Sequence, residues 1–194
     1  PNSNMRRNNA SLNVSYKLSD KLSVSSSLQF IQTGAKGRYG TGYDSRNVNQ
    51  SFRQWYQVNV DMEDQKSAYE STGKNLTWNP YGFTFDESTR TQPHYFDNPY
   101  WTRNENYSTD SRNRLIGNFM ATYEFTDWLN VMARVTNDSY DEIREERIAV
   151  GSVDPGSYYK FNRSFTERNY DLILSFNKKF GADDKIDFNG NLGT

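Results

Sequence analysis

Six stretches of this chain alternate apolar and polar residues with a period of two, and no other feature limits its fold so strongly. Ala10, Leu12, Val14, Tyr16 and Leu18 interleave with Ser11, Asn13, Ser15 and Lys17. Leu22, Val24, Leu28 and Phe30 share one parity, and Ser23, Ser25, Ser27 and Gln29 the other. Leu115, Phe119, Ala121, Tyr123 and Phe125 alternate with Arg114, Asn118, Thr122 and Glu124. Leu129, Val131, Ala133 and Val135 do so with Asn130, Arg134, Thr136 and Asp138. The last two stretches set Tyr170, Leu172, Leu174 and Phe176 against Asp171, Ser175 and Asn177, and Ile186, Phe188 and Leu192 against Asp187, Asn189 and Asn191. Successive strand side chains project to opposite faces, so each stretch has one greasy and one wet face. The pattern predicts an all-β, antiparallel up-and-down fold of about six strands, over about 8–18, 22–33, 112–125, 128–147, 165–180 and 185–193.

The connections alternate in length. Ser19-Asp20-Lys21, Thr126-Asp127 and Gly181-Ala182-Asp183-Asp184 read as tight turns, because Asp and Gly suit local hydrogen bonding and left-handed backbone. Between hairpins the loops are long, about 35–111 and about 148–166, which is unusual for a compact domain. The hairpin chemistry repeats: Tyr16–Val24 matches Tyr123–Val131, and Phe176–Phe188 is a looser copy.

Apolar residues make up only 34% of the chain, yet aromatics reach 15%, whereas disordered chains are poor in aromatics. A structure that spends its apolar residues on one narrow band reconciles the two figures. No run approaches the roughly 18 apolar residues of a membrane helix. Short turns at one end, long loops at the other and aromatics beside the turns fit a transmembrane β-barrel. Tyr16, Tyr123, Phe125, Trp128, Phe176 and Phe180 would form its interfacial girdle. An open six-stranded sheet would leave unpaired edges in lipid, and closed barrels take about eight strands or more. The chain is therefore expected to be an inner segment of a larger barrel; the terminal Asn191-Leu192-Gly193-Thr194 inside the alternation fits that expectation. The alternative is a soluble β-sandwich that binds carbohydrate through surface aromatics, in which the Leu12/Val14/Tyr16 face would be covered by a second sheet.

Several chemistries are excluded. With no Cys there are no disulfides, thiolate metal sites or cysteine nucleophiles. The single histidine, His94, rules out multi-histidine metal sites. Net charge is −1, so nothing global points to nucleic acid. No Gly-rich phosphate loop occurs, and Gly37, Gly40 and Gly42 read as loop flexibility. Asp61–Asp64 and Asp138–Glu142 are carboxylate clusters without the spacing of a calcium loop. A glycosidase would need two convergent carboxylates in a cleft. No enzyme activity, cofactor or metal is expected.

Asp97-Asn98-Pro99-Tyr100-Trp101-Thr102-Arg103, Asp110–Arg114 and Gly117-Asn118 form one set of motifs. Tyr123–Leu129 and Glu145-Glu146-Arg147-Ile148-Ala149-Val150-Gly151-Ser152 follow it, and Arg53-Gln54-Trp55 and Asn59–Met62 precede it. Together they resemble the SusC/RagA family over nearly the whole chain. That resemblance implies a TonB-dependent outer-membrane transporter of Bacteroidetes-type bacteria, a barrel of about 22 strands with an N-terminal plug. It also implies a SusD-like surface lipoprotein as partner, energy delivered by TonB through the plug, contact with outer-membrane lipid, and glycan or peptide as the imported nutrient. No plug, TonB box or closing strand is recognised in these residues.

The long loop is where ligand contacts are expected, since loops on a rigid scaffold commonly carry binding. Trp55, Tyr56, Trp78, Tyr81, Tyr100 and Trp101 are the candidates, because aromatic faces stack on sugar rings and peptide side chains. Each competes with a packing role, as a loop this long needs its own small core. Val48, Phe52, Trp55 and Tyr56 have helical spacing, so a short helix is expected over 47–57, with Phe52 and one neighbouring ring packed. Arg114, Arg134 and Asp138 fall on the polar parity and are candidates for a wet lumen, as is Arg112. The arginines are expected to pair with Glu124, Asp138 or a plug carboxylate.

Overall fold

The computed structural model of the chain describes residues 3–38, 40–82, 86–181 and 185–194. Six strands, β1 (Asn4–Lys17), β2 (Leu22–Lys36), β3 (Ser108–Thr126), β4 (Leu129–Ile148), β5 (Ser157–Phe180) and β6 (Ile186–Gly193), form one antiparallel sheet in sequence order. Three helices, α1 (Val48–Gln54), α2 (Met62–Thr72) and α3 (Pro99–Glu105), lie between β2 and β3. The up-and-down, all-β arrangement is the one the alternation predicts.

Two expectations on the connections need correction. The segment read as a loop from about 148 to 166 is strand from Ser157 onward, so the connection is short. Tyr158, Tyr159 and Phe161 are strand-favouring residues, and their polar neighbours had masked the continued strand. The segment 35–111 is not plain loop but carries all three helices. The turn expected over 181–184 falls, beyond Gly181, outside the described residues.

The chain divides into two compact units. One contains Arg7–Gln32, Arg112–Glu142 and Arg163–Thr194. The other contains Thr33–Ser111 and Ile143–Asn162, with the first residues of β1.

The first of these units is sheet. The Ser19 hydroxyl accepts from Leu22 N at 3.1 Å, which tightens the β1–β2 turn. Gly117 lets β2 and β3 approach: a Cβ there would stand 2.5 Å from Leu28 Cδ2 and 2.6 Å from the Ser27 carbonyl oxygen. Between β4 and β5, Arg134 meets Asp171, Asn137 meets Arg168, Tyr140 meets Phe165 and Asp141 meets Ser164. Each step forward on β4 is matched by one step back on β5, so a single register holds. Between β5 and β6, Leu174 opposes Leu192 and Phe180 opposes Ile186, and the rings of Phe176 and Phe188 stack at 4.9 Å.

One face of this sheet is apolar and open. Leu12 is 57% exposed, Phe119 49% and Leu172 52%. Val14, Tyr16, Leu28, Phe30, Leu115, Phe125, Phe188 and Leu192 are also exposed. Among the described residues there is one six-stranded sheet, and the buried apolar side chains are the small ones of Ala35, Ala149 and Pro99.

The second unit is organised by helix caps. Asn47 caps α1 by accepting from Gln50 N, and Asp61 caps α2 by accepting from Glu63 N at 2.8 Å. Glu63 and Asp64 in the first turn of α2 suit its positive end. Gly73 ends α2 at φ 63°, a left-handed conformation that costs glycine little. Asn98 caps α3, with Pro99 in the first turn, where its missing N–H costs nothing.

Candidate functional site

The 33–111 and 143–162 segments are tied by buried amides rather than by an apolar core. Asn98 is fully buried. Its Nδ2 donates to the carbonyls of Gln65 and Leu76, both at 2.7 Å, and its Oδ1 accepts from Tyr100 N at 2.8 Å. Asn75 Oδ1 accepts from Asn98 N at 2.9 Å. Asn75 Nδ2 donates to Asp97 Oδ1 at 2.7 Å and to the Gly151 carbonyl at 2.8 Å. Asp97 Oδ1 also accepts from Val153 N at 2.8 Å. A second knot joins Asn106 to Ala149 N at 2.8 Å and to the Ser152 hydroxyl, which also accepts from Trp101 Nε1 at 2.9 Å. Thus the Asp97–Arg103 and Glu145–Ser152 motifs, about 50 residues apart in sequence, are bonded to each other through Trp101 and Ser152, and Asp97 holds Val153 just past the second.

Beside this network lies a cleft of about 250 Å³. Its wall includes Tyr43, Trp55, Tyr56, Tyr95 and Phe96, with Asp44, Asp97 and Asp154 as its charged groups. The helix expected over 47–57 is α1, ending at Gln54, so Trp55 caps it and Tyr56 lies beyond. Tyr56 packs 5.4 Å from Phe52 and 4.9 Å from Trp78. Trp78 in turn stacks on Phe96 at 5.4 Å. Burial pushes the Tyr56 hydroxyl up to about 12, against the effect of the Trp78 indole and with a smaller push from Asp97. Burial likewise raises Asp97, opposed by hydrogen bonds from Asn75 and Val153 N and aided by the charge of Asp154. Asp44 is lowered by its bond from Arg46, which holds it at 2.7 Å and reaches Glu146 at 2.7 Å.

The six candidate rings separate. Trp55 is half exposed and, with Tyr56, borders the cleft. Trp78 is packed behind them, its buried Nε1 without a partner of hydrogen-bonding geometry. Tyr81 lies 4.4 Å from His94, which stacks on Tyr95 at 3.8 Å. Trp101 borders a separate cleft of about 270 Å³ with Lys74, Leu76 and Pro93. Tyr100 sits in the first turn of α3 and borders neither cleft. Sequence reasoning missed the amides Gln65, Asn75, Asn98 and Asn106; the Asn98-Pro99 pair, a helix-start signal, was the one cue available.

The lumen candidates are all paired. Arg114 meets Asp138 in a two-pronged contact, Nε–Oδ1 at 2.8 Å and Nη2–Oδ2 at 2.5 Å. Arg134 pairs with Asp171 at 2.8 Å, not with Glu124 or Asp138, because Asp171 stands directly opposite on β5. Arg112 bonds Glu142 at 2.8 Å and lies over the Tyr140 ring. Among the described residues, no group of three His, Asp or Glu side chains converges as metal ligands would.

No protein-family model matches the chain. A search of curated proteins found no match either.

Proposed function

We propose that this chain is barrel wall and extracellular loop of a SusC/RagA-like, TonB-dependent importer in a bacterial outer membrane. The observation that carries the reading is the open apolar face of the Arg7–Gln32, Arg112–Glu142 and Arg163–Thr194 unit. An apolar face of this extent is costly in water and favourable in lipid. Along β3 it runs from Leu115 to Phe125. Ten steps of about 3.3 Å, at a tilt of about 45°, cover roughly 23 Å of membrane, close to the apolar band of about 25 Å in such barrels. The opposite face carries Arg112, Arg114, Arg134, Asp138, Glu142 and Asp171 in charge pairs, as suits a wet lumen. A soluble carbohydrate-binding sandwich would need a second sheet over Leu12 and Leu172.

The family reading rests on the motifs quoted above, two of which are joined by the Trp101–Ser152 bond, with Asp97 bonded to Val153 and Asn106 to Ala149 beside it. The chain performs no covalent chemistry in this account. Nutrient, glycan or peptide, meets the loop beneath a SusD-like lipoprotein, and a plug moved by TonB opens the lumen. The cleft beside Trp55 and Tyr56 is the ligand contact on this chain. The test is an epitope inserted at Gly42, in the loop segment, read on intact cells with uptake of labelled oligosaccharides and oligopeptides. The account expects surface staining and uptake that stops when the proton gradient is collapsed. A tag reached only after cell lysis contradicts it.

A further inference from the structure

The cleft beside α1 has an acidic floor that packing alone does not explain. Asp97 is 9% exposed. Its Oδ1 accepts from Asn75 Nδ2 and Val153 N. Its Oδ2 accepts no hydrogen bond among the described residues and is not among the fully enclosed orphan atoms, and Asp97 lines the cleft. A largely buried carboxylate normally has its oxygens satisfied. Asp154 lines the same cleft and makes no ion pair among the described residues. Asp44, the third carboxylate, is already held by Arg46. Among the described residues, no Lys or Arg side chain lines the cleft. Around this floor stand exposed rings, Tyr43, Trp55 and Tyr95.

A neutral sugar would use the rings and one acceptor, and would leave the mutual repulsion of Asp97 and Asp154 in place. A cation relieves that repulsion, occupies Oδ2 and is attracted to aromatic faces. We propose that this cleft binds an organic cation, the ammonium or guanidinium of a peptide ligand, between Asp97 and Asp154 with the Trp55 and Tyr95 rings flanking it. The site deepens the importer reading by choosing between its two nutrient classes, and it rests on that reading only for the ligand's origin.

The test is calorimetric titration of the whole protein in detergent with four probes. Nα-acetyl-arginine amide and Nα-acetyl-lysine amide carry only a side-chain cation, glycylglycine amide carries only a terminal ammonium, and maltotriose is the neutral stacking control. The cationic probes should bind, more weakly as salt rises. Affinity should fall about tenfold in Asp97→Asn, as expected for loss of a charge-assisted bond. Asp154→Asn, outside the buried amide network, should show a similar loss and guards against a folding defect in the first variant. Which cationic probes bind assigns the cation to a side chain or to a terminus. Binding of maltotriose in place of the cations, no cation binding at millimolar probe, or unchanged affinity in both variants would overturn the proposal. Those results leave surface staining and uptake untouched, so the cleft and the importer reading fail separately.

Discussion

Asn8 and Gln32 meet across β1 and β2, with Asn8 Nδ2 donating to Gln32 Oε1 at 3.2 Å. Both belong to the parity of Leu12 and Leu28, so this polar pair closes the apolar band on that face. Asn137 and Arg168, bonded at 3.3 Å, do the same across β4 and β5, one parity step past Val135 and Tyr170. If the band meets lipid, a charge within it is costly and a charge at its edge is not. Phe119→Arg and Leu172→Arg should each cost about 2–4 kcal/mol in denaturant titrations from bilayers, and Asn8→Arg about 0–1 kcal/mol. On an exposed face in water all three would be nearly neutral.

The ion pairs on the other face should differ in strength according to burial. Arg114 and Asp138 are about one-third exposed, at 36% and 32%. A double-mutant cycle across them should give a coupling below about 1 kcal/mol. The Glu142 side chain is only 5% exposed where Arg112 reaches it. Arg112→Ala should therefore cost more, about 1–3 kcal/mol, by removing a charge-assisted bond to a largely desolvated carboxylate. Equal costs for the two arginines would contradict this ranking.

Asn98 is both the cap of α3 and the donor to two backbone carbonyls. Asn98→Ala should destabilise the 33–111 segment by about 3 kcal/mol, through the lost cap and the unsatisfied carbonyls of Gln65 and Leu76. Asn98→Asp should not restore it, although it keeps the cap acceptor, because a carboxylate oxygen would then face those carbonyls. Hydrogen exchange at the Tyr100 and Thr102 amides reads both variants.

Alkaline pH should weaken the same segment. Burial pushes the hydroxyls of Tyr56 and Tyr69 up to about 12, in Tyr69 with help from its 2.8 Å bond to Glu105. In the unfolded chain they titrate near 10. Between about pH 10 and 12 the folded form holds more protons than the unfolded one, so stability falls as pH rises through that window. Tyr56→Phe should flatten the slope, monitored by tryptophan fluorescence; an unchanged slope in Tyr56→Phe and Tyr69→Phe would contradict the assignment.

Strand existence, pairing order and the apolar parity were legible in the sequence because each rests on a local period that lipid or water must read the same way. Arg134 shows where that stops: its partner, Asp171, is decided by β4–β5 register, which no local pattern states. The same holds for the start of β5 at Ser157, where Tyr158 and Tyr159 flank no clean alternation. Among the rings, the spacing of Phe52, Trp55 and Tyr56 gave a helix, but which ring packs depends on Trp78 and Phe96, 22 and 40 residues past Tyr56. The amide network was illegible for the same reason. Asn75 looks like any loop asparagine, and Asn98-Pro99 signals only a helix start, until long-range contacts bury them.

The most direct test exploits the absence of cysteine in this chain. Single cysteines at Leu12, Phe119 and Leu172, and at Ser25, Asn118 and Asp171 on the opposite parity, would be labelled with an environment-sensitive fluorophore in the membrane-embedded protein. The account predicts that lipid-bound quenchers darken the first three, while a water-soluble quencher reaches the second three. Quenching of all six from water, or of none from lipid, would contradict the claim that this apolar face is turned to a membrane.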